Sequence, residues 1–432
     1  MLAMFLAASC AHRPPVLPAG TVDSPLFGKT FEAGLDIAAD YRVPNLDSRR
    51  FTYEDLWTAL ERPLRSSRLM VRVEGKSLLG REIRTISAGS GGTTILLWSQ
   101  MHGDESTATM ALADIINYLA DPTPDPFRDE LLNRLTLVMI PMLNPDGAHL
   151  FQRRNAAGID VNRDARRLAT PEARLLKAVR ERVQPQFGFN LHDQNPHTYA
   201  GRSGKRAAIA LLAPAADDER SWGPVRTRAL QVASIIAEIL QSELPGYIAR
   251  YGDAFNPRAF GDLMQQWGTS TVLIESGVLD DDPEKQKLRA MNVAALLTAF
   301  DAIAHSTYLN ADIMAYDNLP QNRGFSHDLL VRGGLLVLGN AEPMPIDLAF
   351  AWSDAVSGTG LTLTEAGDLD EVGALEIFDA TGLFLHPDPS MVSQEGREGY
   401  LLIGAPAYLT IKRGRDISSE VVKVIGSLFL ER

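Results

Sequence analysis

Cysteine is almost absent from this sequence: Cys10 is the only one among 432 residues. One cysteine cannot form a disulfide within the chain, so a small fold stapled by disulfides is excluded and the core must be held by packing. Long apolar runs are also missing, since no stretch reaches the ~18 uninterrupted apolar residues of a transmembrane helix. The sequence shows no internal repeat and no low-complexity segment either.

An excess of positive charge is missing too. The sequence has 42 Lys and Arg against 54 Asp and Glu, which gives a net charge of −12. This balance disfavours a nucleic-acid groove or a generally anionic surface as the main partner. With 45% hydrophobic and 22% charged residues, the composition is that of an ordinary globular protein. The chain exceeds the roughly 250–300 residues of a single core, so we expect two domains.

The first residues form an apolar run that ends in small residues and Cys10. This pattern resembles the end of a bacterial lipoprotein signal, in which that cysteine is lipidated, although no basic residue precedes the run. Residues 11–45 are rich in proline, glycine and small residues, as in a tether. We therefore expect residues 1–45 to be a signal-like segment and tether, and the protein to be extracytoplasmic, anchored to a bacterial envelope membrane through a lipid on Cys10. The alternative is a cytoplasmic protein with an apolar N-terminus.

The hydrophobic pattern changes near Tyr308. Before it, apolar runs alternate with helical patterns, which predicts an α/β domain with a largely buried sheet over residues 46–308. Thr52 and Asp55 resemble a capping box that opens a helix of this domain. After Tyr308 the runs are short and broken by Gly, Pro, Asp and Asn, so residues 309–432 are predicted to form a small β-rich accessory domain. Its predicted strands are 329–337, 361–363, 375–378 and 400–403, with a last helix or strand near 418–428.

Two histidines and a glutamate lie where predicted strands end. His102 and Glu105 fall between an apolar strand and the following helix, and His192 ends another apolar run. Ligands bind at the carboxyl ends of the strands of open α/β sheets, so these side chains can converge. Two His and one Glu form a known catalytic zinc set that leaves the fourth position for water, which predicts one zinc ion. His197, five residues beyond His192, is an alternative third ligand.

Glu275 is the candidate general base. It follows the apolar run Ser-Thr-Val-Leu-Ile, where an ionisable side chain is costly unless it stands at the mouth of the strand. A carboxylate beside the metal that is not itself a ligand can take a proton from water. The alternative is a strand-terminal glutamate that binds backbone amides.

A polar segment rich in arginine follows the predicted turn at 144–147. Asn162 and Arg163 could grip a substrate carboxylate, because a guanidinium offers paired donors that match its two oxygens. Arg153 could stabilise an oxyanion. Asp160 could hold the outward nitrogen of a metal-bound histidine. The alternative for each arginine is ordinary surface pairing.

These landmarks, together with the segments 75–77 and 80–83, resemble in order the M14 family of zinc carboxypeptidases over roughly residues 48–305. The resemblance implies an α/β fold with a mixed sheet of roughly eight strands flanked by helices, and one zinc at the strand ends. It implies that Arg153 is the oxyanion arginine, that Asn162 and Arg163 clamp a carboxylate, and that Asp160 is the partner of His102.

The sequence departs from that family at two positions. Asp164 follows the Asn-Arg pair where many relatives carry Asn, and Asp193 follows the third ligand where digestive relatives carry a small polar residue. This added negative charge makes an inherited substrate preference an open question. Tyr251 is a candidate for the family's substrate-capping tyrosine, but the sequence gives no firm assignment.

The leading hypothesis is hydrolysis of a peptide bond next to a free C-terminal carboxylate in a peptide or peptide-like substrate. A zinc-dependent deacylase or amidase, similar to aspartoacylase and succinylglutamate desuccinylase, would use the same kind of metal site. The turn at 144–147, Arg153 and the segment 80–83 favour the peptidase. A second alternative is a non-catalytic binding protein in which the β-rich domain is the working part.

Overall fold

The computed structural model describes residues 25–325, 327–356, 359–392 and 399–426. They form two compact units: residues 25–194 with 207–322, and residues 195–206 with the rest of the described chain after 322. The second unit therefore starts later than the predicted boundary at residue 309 and also takes a segment from the middle of the chain. Cys10 and its apolar run lie outside the described residues.

The first unit contains the elements that carry the predicted site. Its helices are α1 (Pro25–Asp40), α2 (Tyr53–Ala59), α3 (Thr107–Ala120), α4 (Pro126–Arg134), α5 (Pro145–His149), α6 (Pro171–Val183), α7 (Pro224–Glu243), α8 (Phe260–Gln266), α9 (Gln286–Ala304) and α10 (Met314–Asp317). Its strands are β1 (Leu69–Lys76), β2 (Glu82–Ala88), β3 (Thr93–Trp98), β4 (Leu135–Ile140), β5 (Phe187–Asp193), β7 (Ile209–Leu212), β8 (Ile248–Arg250) and β9 (Ser270–Ser276). Short 3₁₀ turns cover Pro63–Arg65, Val161–Arg163 and Thr307–Asn310. No helix within the described ranges is long and apolar enough to cross a membrane.

These strands form one mixed eight-stranded sheet in the order β1-β2-β4-β3-β5-β9-β7-β8, which confirms the predicted architecture. The four central strands β4, β3, β5 and β9 run parallel to one another, whereas β2 is antiparallel to β4 and β7 is antiparallel to β9. Alternate side chains of β3 pack into two different hydrophobic clusters. Ile95 and Leu97 pack on one face of the sheet, and Leu96 and Trp98 pack on the other. The central strands are thus buried on both faces, which explains their near-continuous apolar runs.

Helix α1 is a difference from the sequence analysis, which expected an irregular segment up to residue 45. Phe27 and Phe31, one helical turn apart, are buried in the core next to the sheet. At Gly34 an added Cβ would lie 2.7 Å from the Cα of Ala294 in α9, so the two helices approach closely there. The general richness of the segment in small residues hid this apolar stripe.

A buried ion pair joins two helices of the first unit. The carboxylate of Asp114 in α3 accepts hydrogen bonds from Nε and Nη2 of Arg289 in α9, at 2.6 and 2.5 Å. Arg289 also donates to the carbonyl oxygens of Val43 and Leu46, and the Val43 amide donates to Asp114. Because every partner is satisfied, this network fixes the chain between α1 and α2.

The second unit is β-rich, as predicted. Its elements are β6 (Thr198–Ala200), β10 (Asn322–Gly324), β11 (His327–Leu336), β12 (Met344–Asp354), β13 (Thr359–Gly367), β14 (Ala374–Asp379), β15 (Phe384–Pro387), α11 (Pro389–Val392), β16 (Tyr408–Lys412) and β17 (Val421–Gly426). Seven of the strands form a sheet in the order β13-β12-β11-β15-β16-β17, with β14 also paired to β11, and β6 pairs with β10.

One predicted strand of the second unit was wrong. Residues 400–403 form no strand, and Tyr400 and Ile403 are 67% and 58% exposed. Gly399 and Gly404 flank the segment with φ of 81° and 90°, in the left-handed region. The apolar run is therefore a loop between two glycine turns, where the chain reverses instead of extending.

Candidate metal centre

His102, Glu105 and His192 come together in the structure. Their ligand atoms all lie within 4.8 Å of one another, and all three residues are buried. His102 and Glu105 stand in the turn between β3 and α3, and His192 is near the end of the neighbouring strand β5. Because β3 and β5 are parallel neighbours, their carboxyl ends meet at the same edge of the sheet.

The contacts within this triad orient its donor atoms. The Nδ1 atoms of His102 and His192 lie 2.7 and 2.6 Å from the two oxygens of Glu105. The other ring nitrogen of His102, Nε2, lies 2.9 Å from Oδ1 of Asp160. An ionised carboxylate can only accept, so the contact with Asp160 places a proton on Nε2, and the contact with Glu105 places one on Nδ1. A metal ion between Nδ1 and Glu105 would take the place of the second proton. Two imidazole nitrogens and a carboxylate oriented in this way fit a zinc ion.

The local sequence explains why the turn that holds His102 and Glu105 is rigid. A Cβ added to Gly103 would lie 2.0 Å from the carbonyl carbon of Gly147 and 2.2 Å from the amide nitrogen of Ala148. The backbone of α5 therefore packs directly against the turn. The predicted turn at 144–147 is the start of α5, where Oδ1 of Asn144 accepts from the amide of Gly147 at 3.0 Å.

Arg153 contacts both the triad and Asp160. Its Nη2 and Nε donate to Oδ2 of Asp160 at 3.0 and 3.2 Å, and its Nη1 donates to Oε1 of Glu105 at 3.0 Å. The side chain remains 43% exposed, so it lies between the buried triad and solvent. A guanidinium at this position can reach a substrate oxygen next to the metal ligands.

Asn162 and Arg163 lie in the 3₁₀ turn that follows Asp160. Oδ1 of Asn162 accepts from the amide of Phe260 at 2.9 Å, and its Nδ2 lies 3.5 Å from Nε2 of His192. Arg163 is exposed, and its Nη1 donates to the carbonyl oxygen of Asn162 at 2.9 Å. The pair thus flanks the triad on the side of His192.

Glu275 lies directly opposite His192 in the pairing of β5 with β9. It is buried, with 9% of its surface exposed. Burial, and then the negative charge of Glu105, raise the pKa of Glu275 to about 8. The carboxyl group is therefore close to the triad, although it is not one of the three clustered ligands.

Burial and the neighbouring charges shift the pKa of each triad residue in opposite directions. Burial alone would lower the pKa of His102, but the carboxylates of Glu105 and Asp160 raise it to about 9. For His192 burial prevails and lowers the pKa. Burial would raise the pKa of Glu105, but the two histidines hold it below its usual range. A divalent cation among these groups would favour neutral imidazoles and an ionised carboxylate, so metal binding would release protons.

His197, the alternative third ligand, does not join the cluster. It belongs to the second unit, where its Nδ1 lies 3.3 Å from Oδ1 of Asp328. Among the described residues the only other group of possible ligands is Asp347, Asp368 and Asp370. In that group both oxygens of Asp347 already accept backbone amides and the other two residues are exposed, so we assign it no chemistry.

The two departures from the family have structural partners. Both oxygens of Asp164 accept backbone amides, from Ala169 at 3.0 Å and Thr170 at 2.7 Å, so this carboxylate fixes the loop before α6. Asp193 pairs with Lys285, whose Nζ lies 2.8 Å from its Oδ2. Both carboxylates are thus bound by groups of the chain itself, Asp164 by backbone amides and Asp193 by the Lys285 ammonium.

Tyr251 is close to the site, although the sequence gave no firm reason to assign it. The negative charge of Glu275 and then burial raise the pKa of Tyr251 to about 12, with Arg163 acting in the opposite direction. Tyr251 follows β8 in an irregular segment without a motif, and 37% of its surface is exposed. Only the packing of the sheet edge brings it near Glu275.

The chain is similar to known proteins in sequence and in fold. Residues 60–208 match the zinc carboxypeptidases, peptidase family M14. A probable carboxypeptidase 2 from Trichophyton verrucosum (strain HKI 0517) is 29% identical over 99 residues, which are 22% of this chain and 19% of that protein. Carboxypeptidase SOL1 from Arabidopsis thaliana is 35% identical over 65 residues, 15% of this chain and 13% of that protein. The chain thus spans less than a fifth of the length of these relatives.

Among solved structures, a metallo-carboxypeptidase from Burkholderia cenocepacia matches with a TM-score of 0.48 and 17% identity, over 60% of this chain and 70% of that chain. The segment that matches the family contains every predicted site residue except Glu275. The resemblance predicted from the sequence is therefore confirmed for this segment: residues 60–208 match the zinc carboxypeptidase (M14) family.

Proposed function

We propose that the protein is a zinc-dependent carboxypeptidase that hydrolyses the peptide bond next to a free C-terminal carboxylate. The observation that carries this proposal is the convergence of His102, Glu105 and His192 within 4.8 Å, with Glu275 on the adjacent strand. Three buried protein ligands and a separate buried carboxyl group are the parts that a hydrolytic zinc site needs.

His102, Glu105 and His192 would hold one zinc ion. When bound, zinc would supply a Lewis acid that polarises the scissile carbonyl and lowers the pKa of a water molecule. Asp160 fixes the tautomer of His102 through Nε2, which keeps Nδ1 available as a ligand atom.

Glu275 acts as the general base in this proposal. Its carboxylate accepts a proton from the attacking water and delivers it to the nitrogen of the leaving amine as the peptide bond breaks. Burial supports this role, because it raises the pKa of Glu275 to about 8 and so makes the group a better base. The positive charge of a metal would act in the opposite direction and keep the group ionised near neutral pH.

Arg153 stabilises the negative charge that develops on the carbonyl oxygen. Its Nη1 lies 3.0 Å from Oε1 of Glu105, so the guanidinium is already beside the ligand set and needs little movement. Preorganised donors aimed at a developing oxyanion act mainly in the transition state.

Asn162 and Arg163 recognise the free carboxylate of a peptide or peptide-like substrate. Arg163 is exposed, and the side chain of Asn162 is anchored to the start of α8 and lies beside His192. Paired, charge-assisted hydrogen bonds to a carboxylate are about twice as strong as neutral ones, so such a clamp selects chain ends.

The family match supports a peptidase over a deacylase of the aspartoacylase type, since it names zinc carboxypeptidases. A panel of free-acid peptides and N-acyl amino acids, assayed with and without a chelator, tests the proposal. We expect peptide hydrolysis that the chelator abolishes and added zinc restores. Turnover confined to the N-acyl amino acids would show a deacylase, and turnover that survives complete metal removal would refute the zinc assignment.

A further inference from the structure

A buried ion pair lies directly behind the triad. Oδ2 of Asp193, the residue after His192, accepts from Nζ of Lys285 at 2.8 Å and from Oγ1 of Thr107 at 2.7 Å. The side chains of Lys285 and Asp193 are only 4% and 7% exposed. Thr107 begins α3 and Lys285 immediately precedes α9, so three elements meet at this carboxylate.

The same residue is connected to a metal ligand. The backbone amide of Asp193 donates to Oε2 of Glu105 at 3.1 Å, the oxygen that also faces His192. Asp193 is therefore held through its side chain by Lys285 and Thr107, and its backbone amide binds Glu105. Hydrogen bonds to ligating carboxylates set the orientation in which they meet the metal.

Stability alone is a poor explanation for this pair. Two charges buried together pay a large desolvation cost, and an apolar pair of similar volume is often equally stable or more stable. Oδ1 of Asp193 is buried and has no hydrogen-bond partner within the described part of the chain. Lys285 also adopts φ of 56°, in the left-handed region, which costs free energy for a residue with a Cβ.

We propose that Lys285 and Thr107 are positioning residues for the zinc site. They hold Asp193 so that its amide orients Glu105, and thereby raise the affinity of the triad for zinc. This inference rests on the zinc ligands assigned under the proposed function. It goes beyond that assignment, because neither Lys285 nor Thr107 touches the metal or the substrate in it.

The chain offers a matched control on the same two helices. Asp114 of α3 and Arg289 of α9 also form a buried ion pair, with side chains 1% and 2% exposed, and neither is in hydrogen-bond contact with a triad residue in the described structure. Loss of this pair should weaken the fold without changing the orientation of Glu105.

The experiment measures the zinc dissociation constant by chelator competition, and the unfolding free energy of the zinc-free protein, for the full-length wild type, Lys285→Met and Arg289→Met. We expect Lys285→Met to weaken zinc binding by about 10- to 100-fold, as loss of a partner behind a metal ligand typically does. Arg289→Met should lower the stability of the zinc-free protein while leaving zinc affinity within about threefold of the wild type.

A second pair of variants covers the case in which Lys285→Met does not fold. Thr107→Val removes one hydrogen bond to Asp193, and Thr298→Val, which removes a hydrogen bond to the carbonyl oxygen of Ala294 in α9, is its control. We expect several-fold weaker zinc binding for Thr107→Val and an unchanged affinity for Thr298→Val.

Unchanged zinc affinity in Lys285→Met would overturn the proposal, and where only Thr107→Val folds, unchanged zinc affinity in that variant would do so. An equal loss of zinc affinity in a variant and in its control would also overturn it. A wild type that binds no zinc would instead refute the proposed function, so the two failures are distinguishable.

Discussion

Glu275 lies at the end of β9, opposite His192, and is not one of the clustered ligands. Replacement by glutamine keeps the size of the side chain but removes its ability to accept the proton of water. General-base catalysis contributes about 10²–10⁴-fold, so we expect Glu275→Gln to lose that much of kcat while it keeps stoichiometric zinc. Steady-state kinetics and elemental analysis of the same preparation check both parts.

A buried carboxylate elsewhere in the sheet serves as control for this variant. Glu74 in β1 is 7% exposed on its side chain and pairs with Arg72 and Arg182. Glu74→Gln should lower stability and leave kcat unchanged. If Glu275→Gln retained more than about a tenth of the wild-type kcat, another group would have to be the base.

The third zinc ligand can be tested by comparing two histidines that are close in sequence. His192 faces Glu105 at 2.6 Å, whereas His197 lies against Asp328 in the second unit. We expect His192→Ala to lose stoichiometric zinc and His197→Ala to retain it, because three protein ligands are needed for a tight site. Full zinc content in His192→Ala by elemental analysis would contradict the assignment.

Two arginines near the site should give different kinetic defects. Arg163 is exposed beside Asn162 and is proposed to bind the substrate carboxylate, so Arg163→Ala should mainly raise KM. Arg153 lies against Glu105 and is proposed to act on the oxyanion, so Arg153→Ala should lower kcat by about 10²–10³-fold, the usual cost of one lost oxyanion donor. Initial rates over a range of free-acid peptide concentrations separate the two. Identical changes in both variants would refute the division of roles.

At the residue scale, the sequence predicts those site residues that lie at strand ends or next to turns. The triad, Glu275, Arg153 and Asp160 each follow an apolar run or a turn signal, and the structure brings them together. The contacts of Asp193 could not be predicted, because Thr107 and Lys285 are 86 and 92 residues away and no motif links them. Tyr251 could be named from the sequence only as a candidate for a related reason: it lies in an irregular segment, and tertiary packing brings it near Glu275.

Single elements were predictable where local chemistry decides their ends. The capping box at Thr52 is present, with the side chains of Thr52 and Asp55 each accepting a backbone amide from the other, and α2 starts at Tyr53 as predicted. Where tertiary packing decides the secondary structure, the hydrophobic pattern of the sequence predicted it wrongly. Helix α1 is stabilised by burial of Phe27 and Phe31, and residues 400–403 are apolar but form a loop.

The turn between β3 and α3 carries two of the three proposed metal ligands, His102 and Glu105. At Gly103 any Cβ would overlap the backbone of α5, so Gly103→Ala must push the turn away from α5 and displace His102 and Glu105. We expect a loss of about 1–3 kcal/mol in the free energy of unfolding, typical of overpacking, together with weaker zinc binding.

An exposed glycine at the other end of β3 provides the control. A Cβ at Gly92 has no atom within 4 Å, so Gly92→Ala should change the unfolding free energy by no more than about 0.5 kcal/mol. Denaturant unfolding of the zinc-free forms and chelator competition give both quantities. Wild-type stability and zinc affinity in Gly103→Ala would show that the turn is not constrained by α5.

For the whole molecule, the sequence predicted the class of each region but not the exact division between them. The eight-stranded mixed sheet and the β-rich C-terminal part are both present. Residues 195–206, however, belong to the second compact unit, although they directly follow the strand that carries His192. A domain boundary predicted from the hydrophobic pattern cannot reveal this grouping, because the grouping depends on contacts between distant segments, such as that of Tyr199 with Phe325.

We propose that this molecule hydrolyses peptide bonds next to a free chain end. The most direct test of this proposal is the ratio of kcat/KM for a free-acid peptide to that for the same peptide with an amidated C-terminus, measured on the zinc-loaded protein. A clamp made by Arg163 and Asn162 gains charge-assisted hydrogen bonds only from the free acid, each worth about 1.5–3 kcal/mol, so we expect a preference of at least about tenfold for the free acid. Equal cleavage of the two peptides would contradict it.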